Sequence, residues 1–247
     1  MNSIPLVDLF SSIQGEGPYV GRRQAFLRFH GCNLDCDYCD TVQPASPAFC
    51  RVEEVPGSGL FDNPPNPISL SSVMEILGGW LTRYPGVHHS LSLTGGEPLL
   101  HRDILVRWLP NLMTLFPLYL ETNGTLPEAL VAVIDCIRYI SMDIKLPSAS
   151  GCPPLWKTHR QFLEVAVRRE VFVKVVVGPD TSPEEIESAS LLIRDARPSI
   201  PLILQPVTRN GVSAAPASLL LRYQEQAARI LDDVRVIPQT HVFLNIL

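Results

Sequence analysis

Short β-branched and aromatic runs alternate with stretches of helical period along most of this chain, and no other feature constrains its fold as strongly. The runs are QAFLRF (24–29), HSLSLT (89–94), LYLET (118–122), YISMDI (139–144), VFVKVVV (171–177) and PLILQPV (201–207). Between them, Val73, Ile76, Leu77, Trp80, Leu81 and Tyr84 recur at helical spacing, which predicts an amphipathic helix over 70–84 whose Trp and Tyr are core residues. Ser182, Pro183 and Glu185 form an S-P-x-E start, so a helix is expected from there to about Arg197. Further helical patterns cover 101–115, 126–136, 155–169 and 216–231. Repeated β-α units of this kind predict an α/β fold on a parallel sheet.

A chain of 247 residues is long enough to bury a substantial core and lies within the range of one barrel-type domain, so a single domain over 1–247 is expected. Its formal charge of −5 gives no general attraction for a polyphosphate backbone, which argues against direct nucleic-acid binding. The opening MNSIPLVDLF has no basic leader region and carries Asp8 in its apolar run, unlike a signal peptide. No apolar stretch reaches the roughly 18 residues of a membrane span. The expectation is a cytoplasmic protein, in which six cysteines read as metal ligands or thiols rather than disulfides.

The segment from Gln43 to Pro67 carries six prolines and two glycines, which predicts irregular structure. It reads either as a cover over a site or as a passive surface loop. Just before it, GCNLDCDYCDT (31–41) places Cys32, Cys36 and Cys39 in a C-x3-C-x2-C triplet. Three thiolates on one loop suit zinc or an iron-sulfur cluster. Zinc wants a fourth protein ligand, and none stands at a suitable spacing, so the triplet favours a cluster with one iron open to another ligand. A second motif, LTGGEPLLH (93–101), ends a strand and opens a helix, and its paired glycines allow close approach to the backbone.

With both motifs in place, the sequence resembles the radical S-adenosylmethionine enzymes, through the cysteine triplet and Gly95-Gly96-Glu97-Pro98. The resemblance implies a partial, open β/α barrel with about six core parallel strands, one 4Fe-4S cluster on Cys32, Cys36 and Cys39, and S-adenosylmethionine chelating the open iron. In that family the reduced cluster cleaves the sulfonium, and the 5′-deoxyadenosyl radical abstracts a substrate hydrogen.

The block FSSIQGEGPYVGRRQAFLRFHGCNLDCDYCDT (10–41) looks more narrowly like the opening of the 7-carboxy-7-deazaguanine synthase family, and the likeness continues through ETNG, SMDIKLPS, LQPVT and PQTH. That family contracts 6-carboxy-5,6,7,8-tetrahydropterin to 7-carboxy-7-deazaguanine with loss of ammonia, on the route to queuosine and other 7-deazapurines. S-adenosylmethionine is regenerated there and Mg2+ assists. The resemblance implies cofactor contacts from Tyr38, Cys39, Asp40, Gly96, Asp143, Ile144 and Lys145, and Mg2+ on Thr41. It implies substrate contacts from Ile13, Gln14, Gly15, Arg28, Thr94 and the C-terminal carboxylate of Leu247, with Glu16 nearby as an acceptor. An external one-electron donor such as a flavodoxin, and a homodimer, are further implications.

Each residue has a plainer reading as well. Gln14 to Gly17 also reads as a hairpin turn, Arg28 as a rim ion pair, Thr41 as a helix cap, and Glu121 and Asn123 as turn formers. Cys50, Cys136 and Cys152 read as buried or unligated thiols, and none of the six histidines has ligand spacing. Asp143-Ile144-Lys145 departs from the family's usual Ser-Pro-Lys. Two other functions stay open at this point: a radical activase acting on a glycine of a partner enzyme, whose usual DGPG-like segment is absent, and a zinc-stapled binding module with no catalysis.

Overall fold

The computed structural model describes residues 3–39 and 47–246. Its main sheet holds ten strands, in chain order β1 (Leu6–Ile13), β2 (Arg23–Phe29), β3 (Arg51–Glu53), β4 (Phe61–Asp62), β5 (Leu91–Gly95), β6 (Leu118–Thr122), β7 (Ile137–Ile144), β8 (Glu170–Val177), β9 (Leu202–Pro206) and β10 (Val234–Val236). Their spatial order is β10-β9-β8-β7-β6-β5-β2-β1-β3-β4, and the end strands do not pair with each other, so the barrel is open. Every neighbouring pair from β2 through β10 in that order is parallel. Six of those strands are the expected ones, and the short β10 adds a seventh.

The helices α1 (Leu70–Arg83), α2 (Arg102–Leu112), α3 (Pro127–Val133), α4 (Trp156–Ala166), α5 (Pro183–Ala196), α6 (Ala217–Ala228) and α7 (Thr240–Leu244) follow the sequence pattern closely, α7 excepted. The S-P-x-E signal closes as a reciprocal cap: Glu185 N donates to Ser182 Oγ at 3.2 Å, and Ser182 N to Glu185 Oε2 at 3.0 Å.

Alternation along the strands divides the sheet into two faces with different chemistry. Leu27, Leu93, Leu120, Met142, Val175 and Leu204 point outward into a core shared with Trp108, Phe162 and Ile193 of the helices. The inner face is graded along the strands. Toward the amino ends, Tyr119, Phe172 and Ile203 pack with Tyr19, Tyr139 and Ile237 as an apolar floor. Toward the carboxyl ends the same face turns polar, with Arg28, Thr94, Glu121, Asp143, Lys174 and Gln205. The floor keeps water out from below and leaves one polar mouth above.

Three expectations need correcting. Trp80 is core as expected, but Tyr84 is half-buried at the end of α1, outside the core. The sequence pattern gave no strand before residue 24, yet LVDLFSSI forms β1, antiparallel to β2 with Asp8 opposite Arg28 and Ser12 opposite Gln24. Asp8, Ser11 and Ser12 interrupt its apolar run, and each faces a polar neighbour: Arg28 donates to Asp8 at 3.0 Å, and His88 lies 2.8 Å from the Ser11 hydroxyl. The proline-rich segment is also not wholly irregular. Its described part carries β3, parallel to β1, and β4, antiparallel to β3. Its described prolines stand outside β3 and β4, Pro65 forming an isolated antiparallel bridge with Phe49, and Glu53 is buried, accepting from Ser11 N and Gly59 N at 2.9 Å each. This part extends the sheet edge, and Arg51 is its one residue lining the cavity described next.

Candidate active site

The polar mouth is a cavity of about 620 Å³ at the carboxyl ends of the parallel strands, where open α/β sheets bind their ligands. Cys32, Cys36 and Cys39 all line it, on the loop that follows β2. That loop is tied down at three points. Glu97 N donates to Gly31 O at 2.8 Å, Asp37 N to Ser150 O at 3.0 Å, and Asn123 Nδ2 to Asn33 Oδ1 at 2.9 Å. The β5, β6 and β7 ends thus hold the cysteine loop from three sides.

The GGEP turn works differently from its first reading. Gly95 has φ +121°, and a Cβ there would lie 2.1 Å from Phe29 O, so the space its missing side chain leaves is filled by the β2 backbone. Gly95 and Gly96 both line the cavity. Glu97 is fully buried and points away from it. Its carboxylate accepts from Leu99 N at 3.0 Å, Thr122 Oγ1 at 3.0 Å and Asn123 N at 2.8 Å, which joins the β5 turn to the β6 turn. Burial pushes this carboxyl up to about 7 against the lowering effect of those donors.

On the β1–β2 side, Gln14 Nε2 donates to Gln24 Oε1 at 3.0 Å and to Glu121 Oε1 at 2.9 Å, while Thr94 Oγ1 donates to Glu121 Oε2 at 2.6 Å. Gln14 O accepts from Gly21 N at 3.0 Å, so this segment is both the turn of the hairpin and a wall of the cavity. Gly15 lies against His241, whose Nδ1 would stand 2.3 Å from a Cβ at that position. Thr240 N donates to Gly15 O at 2.9 Å, which brings the C-terminal PQTH segment over the hairpin. Arg28 meets both of its readings: it pairs with Asp8 and it lines the cavity.

A chain of charges crosses the floor of the mouth. Glu16 pairs with Lys174, Lys174 Nζ lies 3.3 Å from Asp143 Oδ2, and Lys145 Nζ lies 2.8 Å from the same oxygen. Gln205 and Gln239 also donate to Glu16 Oε1, at 3.0 and 3.1 Å. Burial alone would raise the Glu16 carboxyl, but Lys174 overrides it and holds the group at about 2. Burial would likewise lower both lysines, and their acidic neighbours keep them charged. Lys145 Nζ also sits 5.0 Å from the centre of the Tyr38 ring.

Of the residues implied earlier, Ile13, Gln14, Gly15, Arg28, Tyr38, Cys39, Thr94, Gly96, Asp143 and Lys145 line this one cavity. Ile144 does not: its side chain is buried in the outer core, because strand alternation turns it away from its two neighbours. Asp40, Thr41 and Leu247 lie outside the described residues. Among the described residues no three His, Cys, Asp or Glu side chains are grouped as a single metal ion would need. The three cysteines that line the cavity are soft thiolate donors of the kind that hold iron-sulfur clusters. Asp143 Oδ1 and Gln205 Oε1 are buried with no partner, as suits a cavity that takes a polar ligand. Cys152 is buried 3.8 Å from Cys36, and burial pushes the Cys36 thiol up to about 12 despite the opposing pull of Lys145. That proton has to leave when a metal takes the sulfur.

Several residues of the cavity were not drawn from the sequence as site residues. Glu121 and Asn123 were read as turn formers, yet Glu121 anchors Gln14 and Thr94, and Asn123 Nδ2 comes within 3.8 Å of Cys32 Sγ. Lys174 and Gln205 carried a usable signal. Each is a polar residue inside an otherwise apolar run bound for a buried parallel strand, where such a group needs a partner.

Residues 26–193 match the model of the Radical SAM superfamily. The open parallel sheet, with a cysteine loop at its carboxyl edge, defines a radical SAM chain. Over 244 residues the sequence is 52% identical to a 7-carboxy-7-deazaguanine synthase of Geobacter sulfurreducens, covering 97% of this chain and 96% of the relative. A relative of the same name from Methanothermobacter thermautotrophicus is 34% identical over 261 residues, covering 98% and 97%. The chain belongs to the 7-carboxy-7-deazaguanine synthase family. Its fold is also that of QueE from Escherichia coli, whose crystal structure it matches with a TM-score of 0.59 at 20% identity, covering 96% of this chain and 94% of that one.

Proposed function

We propose that this chain catalyses the radical contraction of 6-carboxy-5,6,7,8-tetrahydropterin to 7-carboxy-7-deazaguanine, with loss of ammonia. The observation that carries the reading is the single cavity in which three cysteines, the Gly96 edge and Arg28 meet. Cys32, Cys36 and Cys39 would hold a 4Fe-4S cluster, and Gly96, Tyr38, Asp143 and Lys145 would line the S-adenosylmethionine that completes it. When bound, that pair supplies a carbon radical able to abstract a substrate hydrogen.

The chain's own residues then position the pterin. Gln14 and Glu121 present an amide and a carboxylate to a heterocycle edge of alternating donors and acceptors. Arg28 offers a guanidinium for the carboxylate, in a paired fork that Asp8 orients. The apolar floor of Tyr119, Phe172 and Ile203 excludes water below the reacting ring. Thr41 would contribute an oxygen to Mg2+, with substrate and water completing its shell, and the carboxylate of Leu247 would close the far side of the substrate.

The same reading has the chain working as one domain, as a homodimer in the cytoplasm, with an external one-electron donor of the flavodoxin kind. Among the described residues no helix is long and apolar enough to cross a membrane. The test is anaerobic reconstitution with iron and sulfide, followed by incubation with the carboxytetrahydropterin, S-adenosylmethionine, reductant and Mg2+. A deazapurine product is expected, on a brown protein with about four irons per chain. Deoxyadenosine without deazapurine would end the substrate assignment and leave only the chemistry class.

A further inference from the structure

The charge chain Glu16–Lys174–Asp143–Lys145 joins two halves of the cavity that have no other polar bridge of this kind described above. At one end, Glu16 belongs to the β1–β2 turn whose neighbours Gln14 and Gly15 face the pterin position. At the other, Asp143 and Lys145 end β7 beside Tyr38 of the cysteine loop. Lys174 stands between them on β8, buried and in contact with both carboxylates. In register it lies beside Asp143, and its ammonium stands between the two carboxylates.

The geometry points to Lys174 as a positioning residue that couples the two ligand sites, so that occupancy of the cofactor side orders the Gln14–Glu16 wall for the pterin. This inference rests on the function proposed above. Three further features make the coupling mechanically reasonable. Asp143 Oδ1 is buried and without a partner, so a ligand donor arriving there draws the carboxylate and with it Lys174. Glu16 is anchored to β8, β9 and the C-terminal segment at once, through Lys174, Gln205 and Gln239, so a shift of Lys174 reaches the hairpin wall directly. The carboxylate of Glu121, which orients Gln14, is separate from this chain, so the wall can bind a heterocycle edge without Lys174 and lose only the link. Lys174 and Asp143 are buried and Glu16 is half-buried, so salt screens the pairs less than it would on the surface, which lets a small displacement at one end be felt at the other.

Coupling is reciprocal between the two ligands. The experiment uses the reconstituted, oxidised holoenzyme without reductant, so that no turnover occurs. The dissociation constant of S-adenosylmethionine is measured by anaerobic calorimetry with and without saturating carboxytetrahydropterin, and the titration is repeated in the opposite order. The wild type is expected to bind each ligand about 5- to 50-fold more tightly in the presence of the other. Lys174→Met should show a coupling factor near one, whatever its affinity for each ligand alone. Because the single variant leaves two carboxylates short of a partner, Lys174→Met with Glu16→Gln serves as the second protein, and it too should lack coupling. Coupling that survives in both variants, or a wild type that binds both ligands independently, overturns the proposal and leaves the function standing. A wild type that binds the cofactor and never the pterin overturns the substrate assignment and this inference with it.

Discussion

Removing the Lys174 ammonium tests the electrostatics of the site through stability alone. In Lys174→Met the Glu16 carboxyl loses the partner that holds it at about 2, below its usual 4.5. That difference of roughly 2.5 units corresponds to about 3 kcal/mol of stabilisation at neutral pH. Glu16 has a depressed folded value, so this contribution is fully present above the unfolded value and is lost as the pH falls through the folded one. In the variant, burial is opposed by the Gln239 hydrogen bond and the charge of His241 but no longer by Lys174, so the same carboxyl rises from its depressed value and its stabilising contribution shrinks. With Asp143 still served by Lys145, the net cost at pH 7.5 should be about 3 to 5 kcal/mol, the range for breaking one side of a buried pair. For a chain of this length that lowers the melting temperature by roughly 6 to 20 °C. Thermal and urea unfolding of the cluster-free chain at pH 7.5, 4.5 and 2.5 reads both the cost and its sign. The gap between wild type and variant should be wide at pH 7.5, keep most of its width at pH 4.5, and close toward pH 2.5 as Glu16 is protonated in the folded wild type. A gap under about 1 kcal/mol at neutral pH, or one that widens on acidification, refutes the reasoning.

Four other outcomes follow from the site. Cys36→Ala should assemble almost no iron, whereas Cys152→Ser, which removes only the neighbouring thiol, should keep the wild-type iron content; colorimetric iron per chain measures both. Gly95→Ala forces a Cβ onto the Phe29 backbone at a positive φ and should cost about 3 kcal/mol or more in urea unfolding, far more than Gly211→Ala, whose Cβ meets nothing within 4 Å. Arg28→Ala should raise KM for the carboxytetrahydropterin about 10- to 100-fold through loss of a charged hydrogen bond. Thr41→Ala should leave the cluster spectrum unchanged and flatten the dependence of rate on Mg2+ concentration.

The six central strands and their helices were legible in the sequence because buried parallel strands are written as unbroken β-branched runs. The S-P-x-E cap was legible because it is a local device. β1 was not, since Asp8, Ser11 and Ser12 look like a loop until their partners Arg28 and His88 arrive from distant parts of the chain. The strands within the proline-rich segment were hidden for a similar reason: three paired residues carry no periodicity, and the tertiary edge of β1 decides them. The cysteine triplet and Gly96 announced themselves by spacing and by resemblance. Glu97 was conspicuous in its motif, but only the fold shows that it binds two turns together and faces no ligand. The charge chain is a long-range construction from residues 16, 143, 145 and 174: resemblance named Glu16, Asp143 and Lys145 one by one, and the lysine in VFVKVVV was the local trace of the member that links them.

The most direct test of the central claim is a mass-spectrometric balance on one quenched reaction of the reconstituted enzyme, counting deazapurine and ammonia formed against S-adenosylmethionine consumed. The account predicts one ammonia per 7-carboxy-7-deazaguanine, and many products for each S-adenosylmethionine lost. Deoxyadenosine accumulating with no matching deazapurine, or one cofactor consumed per product, would contradict it.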